Sequence, residues 1–255
     1  MNFNTFDRRM RQYETIHDQC VLPEMHMVAR LDGRSFTRLT RERQHFEAPF
    51  DEKFRDLMVE TVLHLMDCGF NVVYGYTESD EISLALHRNE SSFGRKLRKL
   101  NSVLAGEASG RFSLLLGAVA AFDCRISELP TRALVVDYFR WRQEDAARNA
   151  LNGHCYWLLR RQGHGKDEAT QRLVGMKNNQ KHDLLMASQI NFNDLPAWQK
   201  RGVGIYRVSA PNSGTDPRSG EQVDTTRNVL KVDLELPKGD AYGQFVDDRL
   251  RDATS

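Results

Sequence analysis

Two short runs rich in Val, Ile, Tyr and Leu, "NVVYGY" at 71–76 and "EISLALH" at 81–87, are separated only by "TESD". A polar tetrad between two such runs reads as a hairpin connection, so the runs must be antiparallel neighbours. The N-terminal half organises around this constraint. "MHMVARL" at 25–31 reads as an earlier strand running into the turn signal Asp32-Gly33, followed by a loop to Pro49. Phe50, Phe54, Leu57, Met58, Val62, Leu65 and Met66 then recur at three and four residues, which predicts a helix with one buried face, ended by Gly69. A second helix is expected from about Ser92 through "GRKLRKLNSVLAGEASGRFSLL", and "AVAAFDCRI" as a fourth strand. The order strand, helix, strand, strand, helix, strand is the split βαβ pattern of ferredoxin-like and RNA-recognition-motif folds. The expected class is therefore α+β, an antiparallel sheet with helices on one face over residues 1–130.

After Pro130 the character becomes helical. "ALVVDYFRWRQEDAARNALNGHCYWLLRRQG" predicts one long helix, "KDEATQRLVGM" and "NNQKHDLLMAS" two shorter ones, and "GVGIYRVSA" and "NVLKVDLELP" a hairpin. The turn-rich stretch at 211–226, "PNSGTDPRSGEQVDTT", is the segment expected to lack order. Residues 131–255 are read as a helical and hairpin region packed on the first to give one compact unit.

Lys and Arg number 36 against 35 Asp and Glu, a formal net charge of +1. No global basic excess advertises nucleic acid or an anionic membrane, so any such site is local. No apolar run approaches the roughly 20 residues that span a bilayer. "MNFNTFDRRMRQYE" is too charged for a secretory signal, and a cytoplasmic protein without membrane contact is expected. Cys20, Cys68, Cys124 and Cys155 form no Cys-x-x-Cys spacing, and His26, His64, His87 and His154 form no ligand pattern.

The hairpin connection carries Glu78, Asp80 and Glu81, and the first strand ends at Asp32. In a split βαβ sheet the first and third strands are neighbours, so these carboxylates converge on one edge, where a cation relieves their repulsion. Oxygen ligands without His or Cys suit Mg²⁺, and two ions about 3.5–4 Å apart serve phosphoryl transfer. The plain alternative is a polar hairpin tip and an ordinary Asp-Gly turn. Arg95, Lys96, Arg98 and Lys99 fall in the first turns of a predicted helix, where the macrodipole disfavours cations. A bound triphosphate would relieve that conflict; a solvated helix face is the other reading. Arg142, Asp145, Asn149 and Asn152 share a face of the long helix.

"RLDGRSF" at 30–36, "YTESDEIS" at 76–83, "FDCRI" at 122–126, "DYFRWRQEDAARNAL" at 137–151 and "KHDLL" at 181–185 occur in the order of the tRNA-His guanylyltransferase superfamily, which most of this chain resembles. "RRMRQYE" and "INFNDLPAWQKRGVGIY" resemble its bacterial and archaeal members more than the eukaryotic enzymes. The resemblance implies a palm like that of conventional polymerases, working in the 3′–5′ direction on the 5′ end of tRNA after activation with ATP. It implies Asp32 and Asp80 as ligands of two Mg²⁺ ions, with the Gly33 carbonyl, and Glu81 as a catalytic neighbour. Arg30, Gly33, Arg34, Ser35, Phe36, Ser79, Arg95, Lys96 and Lys99 become nucleotide contacts for ATP, GTP or other nucleoside triphosphates. Arg142, Gln143, Asp145, Asn149 and Lys181 become RNA contacts or a scaffold, and the assembly a homotetramer.

Two positions depart from the family pattern. Ala147 stands where the eukaryotic pattern begins a His-Ile-Asn-Asn-Leu-Tyr-Asn run, and Ala48 where the family often has Lys, with Arg43 as a substitute cation. The expected function is templated repair of 5′-truncated tRNA. Addition of one G to tRNA-His, nucleotide cyclisation, and RNA binding without catalysis are the alternatives.

Overall fold

The structure, a computed structural model, describes residues 2–215 and 222–252. Helix α1 (Phe3–Thr15) precedes strand β1 (His26–Gly33), a short helix α2 (Phe36–Arg38) that continues as a π-helical turn over Leu39–Arg43, and α3 (Glu52–Leu65). The hairpin β2 (Val72–Glu78) and β3 (Glu81–Leu86) follows, then α4 (Leu97–Leu116) and β4 (Phe122–Leu129). The C-terminal part comprises α5 (Arg132–Arg161), α6 (Lys166–Leu173), α7 (Asn178–Met186), α8 (Ala197–Arg201), the hairpin β5 (Val203–Thr215) and β6 (Gln222–Asp233), and α9 (Asp240–Asp252).

The six strands form one antiparallel sheet in the order β4-β1-β3-β2-β5-β6. Its first four strands have the split βαβ arrangement, and β5 adds to the edge through the pairs Tyr74↔Tyr206 to Thr77↔Val203. Strand side chains alternate between faces. Leu31, Ile82 and Leu84 point to one face, where Val62 of α3 and Leu104 and Phe112 of α4 meet them. Val28, Tyr74, Tyr76 and Ala85 point to the other, against Phe139 of α5 and Val246 of α9. Each such side chain, fully buried, contributes roughly 1.5–3 kcal/mol of hydrophobic stabilisation. The helices expected on one face are α3 and α4; α5 and α9 cover the second.

Side-chain caps explain where the helices nearest the site begin. Asp51 accepts from the Phe54 amide at 3.0 Å to start α3, and Thr131 accepts from the Leu134 amide at 3.3 Å to start α5. Three expectations need correction. The loop expected up to Pro49 contains α2 and the π turn, because buried Phe36 and Leu39 anchor it to the core. Helix α3 ends at Leu65, and Gly69, at φ +97°, lies in the turn beyond it. Most of the segment expected to lack order is strand, paired from Pro211↔Thr226 to Thr215↔Gln222, while residues 216–221 lie outside the described residues. Pro211 is tolerated because β5 has only β6 as a partner at that point, so its missing N–H costs no second ladder bond.

At the end of β1 the chain turns sharply toward α2. A Cβ on Gly33 would lie 2.5 Å from Cγ of the Phe36 ring, and Phe36 is itself packed on Phe54, Phe112 and Phe122. Gly33→Ala is therefore expected to destabilise the fold by about 1–3 kcal/mol through overpacking. Urea denaturation monitored by circular dichroism measures it as a lower midpoint at unchanged slope.

Candidate active site

Asp32 lies opposite Glu81 of β3 and Asp123 of β4 in the strand register. Carboxylates placed directly across neighbouring strands repel one another, so this row requires compensation. Asp80 sits in the two-residue turn between β2 and β3, where Ser79 takes φ 48° as primed hairpin turns demand. The Gly33 amide donates to the Asp80 carbonyl at 3.0 Å and clamps this turn to the end of β1. Ser79 Oγ donates to Asp80 Oδ1 at 3.1 Å. Burial, reinforced by Asp32, raises the Asp80 carboxyl to about 6 against the opposing hydrogen bonds. Asp32 and Asp80 are thus electrostatically coupled, as expected from the strand order.

Period-two alternation turns Glu78 and Glu81 toward α5, where one cation serves both. Arg142, with its side chain 3% exposed, places Nη2 3.4 Å from Glu78, 3.1 Å from Glu81 and 2.7 Å from Asp145. Its guanidinium also lies 4.5 Å from the centre of the Trp141 ring. Burial pushes the Glu78 carboxyl up to about 8, and the neighbouring Glu81 adds to the rise. Glu81 is likewise raised, chiefly by burial, with Arg142 and Arg30 opposing. Arg30 approaches Glu81 at 4.0 Å, and Arg125 approaches Asp32 at 4.0 Å while holding Asp123 at 2.9 Å. Asp145 in turn pairs with Arg148 and accepts from Asn149 at 3.4 Å.

A cavity of about 920 Å³, open mouth included, lies on the α3 side of the Asp80 turn. Thr77, Ser79 and Asp80 form one wall and Ala48, Phe50 and Arg55 another. Arg55 stacks at 4.8 Å over Trp198 of α8, and Phe50 meets Trp198 edge-on at 5.8 Å, so the cavity offers both a cation and aromatic faces. Arg41, also on the wall, lies 4.9 Å over Trp157. The sequence reading missed Arg41, Arg55 and Trp198. Phe50 had been assigned to the buried stripe of the helix that it precedes. Arg41 and Arg55 are the cations that share the cavity wall with Ala48, whose carbonyl accepts from Arg161 at 3.0 Å, whereas Arg43 is not among the lining residues.

Other expected site residues are placed differently. Phe36 lines the cavity but is 2% exposed and belongs to the core. Arg34 and Ser35 are exposed beside it, with Ser35 in the left-handed region at φ 61°. Arg95 donates to the carbonyls of Met25, Arg88 and Glu90, at the opposite end of β1 from Asp32. Lys96 and Arg98 pair with Asp18, which relieves the dipole conflict at the start of α4 without a ligand. These two contacts hold the Asp18 carboxyl down to about 2, Arg98 contributing first. Lys99 is exposed on that same turn of α4. The basic group is therefore not brought to the carboxylates within one chain. Gln143 is buried and donates to the Pro237 carbonyl at 3.0 Å, a tie between α5 and the segment after β6. Lys181 lies on α7, beside Cys155, which donates to its carbonyl at 3.4 Å. Thirteen helical residues separate Cys155 from Arg142, roughly 20 Å along α5, so Lys181 does not join the Arg142 cluster.

Among the described residues, no three His, Cys, Asp or Glu side chains form a metal cage. Asp32, Asp80 and the Gly33 carbonyl offer an all-oxygen set, which fits Mg²⁺, an ion that takes one or two carboxylates and completes its shell with phosphate and water. Asp32 adds to the rise that burial gives the Asp80 carboxyl, a repulsion that a cation between them would relieve.

A split βαβ sheet with coupled aspartates at the end of β1 and in the β2–β3 turn, beside an open cavity, defines a palm-type nucleotidyltransferase. The chain belongs to the tRNA-His guanylyltransferase family: residues 7–130 match the family model described as tRNAHis guanylyltransferase, and residues 133–236 the Thg1 C terminal domain. It is 29% identical over 240 residues to the tRNA(His) guanylyltransferase of Debaryomyces hansenii, covering 89% of each chain. It is 28% identical over 222 residues to tRNA(His) guanylyltransferase 2 of Arabidopsis thaliana, 82% of this chain but only 41% of that longer protein. A solved bacterial tRNA(His) guanylyltransferase (Thg1)-like protein in complex with ATP superposes with a TM-score of 0.77 at 26% identity, covering 96% of this chain and 98% of that one. A bacterial Thg1-like protein in complex with GTP superposes at 0.74. Among the described residues, no helix is long and apolar enough to cross a membrane.

Removing Arg142 takes away the cation shared by Glu78, Glu81 and Asp145, leaving Arg30 at 4.0 Å from Glu81 and Arg148 on Asp145. Arg142→Ala is expected to cost about 3–5 kcal/mol, as breaking one side of a buried pair does. Glu78→Gln, which keeps the shape without the carboxylate, is expected to leave the midpoint unchanged or higher. Parallel urea titrations of the two variants read both outcomes.

Proposed function

We propose that this chain transfers nucleotides in the 3′–5′ direction to the 5′ end of tRNA, after activating that end with ATP, and that Asp32 and Asp80 carry the reaction. The observation that supports this most is the Asp32 and Asp80 pair, of which Asp80 lines a cavity that also offers Arg41, Arg55 and an aromatic wall. In activation, a 5′-phosphate oxygen attacks the α-phosphorus of ATP and pyrophosphate leaves. In transfer, the 3′-hydroxyl of the incoming nucleotide attacks the activated 5′-phosphorus and AMP leaves.

Two Mg²⁺ ions, held by Asp32, Asp80 and the Gly33 carbonyl, would supply Lewis-acid stabilisation of the phosphoryl oxygens. The chain's own residues do the rest. Arg41 and Arg55 hold triphosphate charge, Phe50 and Trp198 offer faces to a base, and the Ser79 hydroxyl orients the Asp80 carboxylate. Arg142 keeps Glu81 beside Asp32 and is a positioning residue rather than an RNA contact. The homotetramer is part of the same reading, and light scattering on the eluting protein reads it.

The names of the relatives favour guanylate addition to tRNA-His as the substrate. A second reading, templated repair of 5′-truncated tRNA, is favoured by Ala147, half-buried on α5 where the eukaryotic His would stand. A 5′-monophosphorylated tRNA-His and a tRNA lacking its first nucleotide, each with ATP, Mg²⁺ and all four nucleotides, separate them. Product on the first substrate with G alone identifies the guanylyltransferase; extension of the second by the templated nucleotide identifies repair. Asp80→Ala should lower either rate by at least about a hundredfold, as loss of a transition-state charge contact does, without unfolding the chain. Equal rates in Asp80→Ala and wild type would remove the proposed site.

A further inference from the structure

At the far end of the sheet from Asp32 and Asp80, a second cavity opens between the start of β1, the end of β3 and the start of α5. Its volume, open mouth included, is about 870 Å³. His26, His87, Arg88 and Arg132 line it with Thr131, and no Asp or Glu is among the described residues of its wall. Six residue steps of extended chain from His26, at about 3.3 Å each, put it roughly 20 Å from Asp32, and it shares no lining residue with the first cavity.

Gathering basic side chains around one opening costs free energy through mutual repulsion. That repulsion is felt locally: the half-buried His26 imidazole lies below its usual range because of burial first, then Arg88 and Arg132. Neither arginine is consumed by its contacts within the chain. Arg88 Nε donates to the Glu24 carbonyl at 3.4 Å, and Arg132 Nε lies 2.8 Å from Asp247, which leaves further N–H groups of each guanidinium for another acceptor.

The opening is also held in shape. Arg95 donates to the Arg88 carbonyl at 3.2 Å and to that of Glu90 at 3.1 Å, and the His87 amide donates to Asn71 at 2.7 Å, so the strand end bearing Arg88 is braced on both sides. Helix α5, 30 residues long, starts here with no acidic residue in its first turn. Its positive end, capped by Thr131 on the Leu134 amide alone, therefore lies at the cavity.

We propose that this cavity is a second anion site of the protein, which takes a phosphate group with Arg88 and Arg132 as its charged contacts. One guanidinium satisfies a carboxylate; several converging donors at a helix N-terminus suit a group with three oxygens and up to two charges. That group belongs either to an RNA backbone or to a free nucleotide or oligophosphate, which present the same oxygens. The site does not depend on the 5′-end chemistry proposed above.

The test titrates inorganic tripolyphosphate and a 5′-phosphorylated tRNA transcript, each at low salt, against wild type and Arg88→Ala. The first cavity can also hold phosphate, so the readout is the difference between the two proteins. Loss of a charge-assisted contact predicts about tenfold weaker binding. Weaker tripolyphosphate alone identifies a free oligophosphate. Weaker tRNA binding, with a salt dependence shallower by about one counterion, identifies an RNA phosphate. Arg88→Lys should recover part of the lost affinity. His26→Gln, which does not touch the Glu24 or Asp247 contacts, should weaken the same probe more modestly. Unchanged affinity for both probes in Arg88→Ala and His26→Gln, with wild-type melting curves, overturns the proposal.

Discussion

One buried guanidinium makes the rest of the site possible. Arg142 reaches Glu78, Glu81 and Asp145 at once from beneath α5, and it is the nearest cation to both strand carboxylates. Without it, Glu81 would have no reason to stay under a helix, and the row formed with Asp32 would spread into solvent. Arg142 only partly offsets the burial of Glu78, whose carboxyl still rises to about 8. Burial is the first cause of that rise and repulsion from Glu81 adds to it, so the Glu78 carboxyl favours its neutral form. The same residue fixes α5 on the second face of the sheet, so the electrostatics of the site and the packing of the C-terminal half are coupled.

Much of the fold was legible in the sequence because local pattern and tertiary packing agree. The β2–β3 hairpin, the long α5 and the strand β1 ending at Asp32 follow from periodicity and turn chemistry, and the antiparallel placement of Asp32 near Asp80 follows from strand order. What failed depended on contacts distant in sequence. The basic run before α4 looked like a phosphate site because Asp18, its actual partner, lies 78 positions before Lys96 and carries no motif. Arg55 and Trp198 come from separate parts of the chain, and nothing local marks either as a cavity wall. Helices α1, α8 and α9 were not anticipated. Helix α1 keeps Phe3, Phe6, Met10 and Tyr13 exposed, so no burial pattern within this chain declares it.

The sheet has two chemically different ends. At one, oxygen ligands and carboxylates gather where β1 meets the β2–β3 turn; at the other, histidine and arginine gather where β3 ends and α5 begins. Antiparallel strands make this polarity cheap, because side chains at opposite ends of one strand are held rigidly apart while the apolar middle is buried on both faces. The charge balance of the whole chain, +1, hides this separation, which explains why composition was silent about it.

The two-residue turn between Glu78 and Glu81 also limits how such a chain can change its length. Side chains in a strand repeat every second residue, so inserting one residue in β2 or β3 near the turn would swing Glu78 or Glu81 from the Arg142 face to the face of α3. The Gly33 to Asp80 backbone bond removes the slack that would absorb the shift. Length variation during descent should therefore accumulate at the β5–β6 end of the sheet, where the ribbon beyond Tyr206 is paired on one side only, while the hairpin that bears Asp80 stays constant in length.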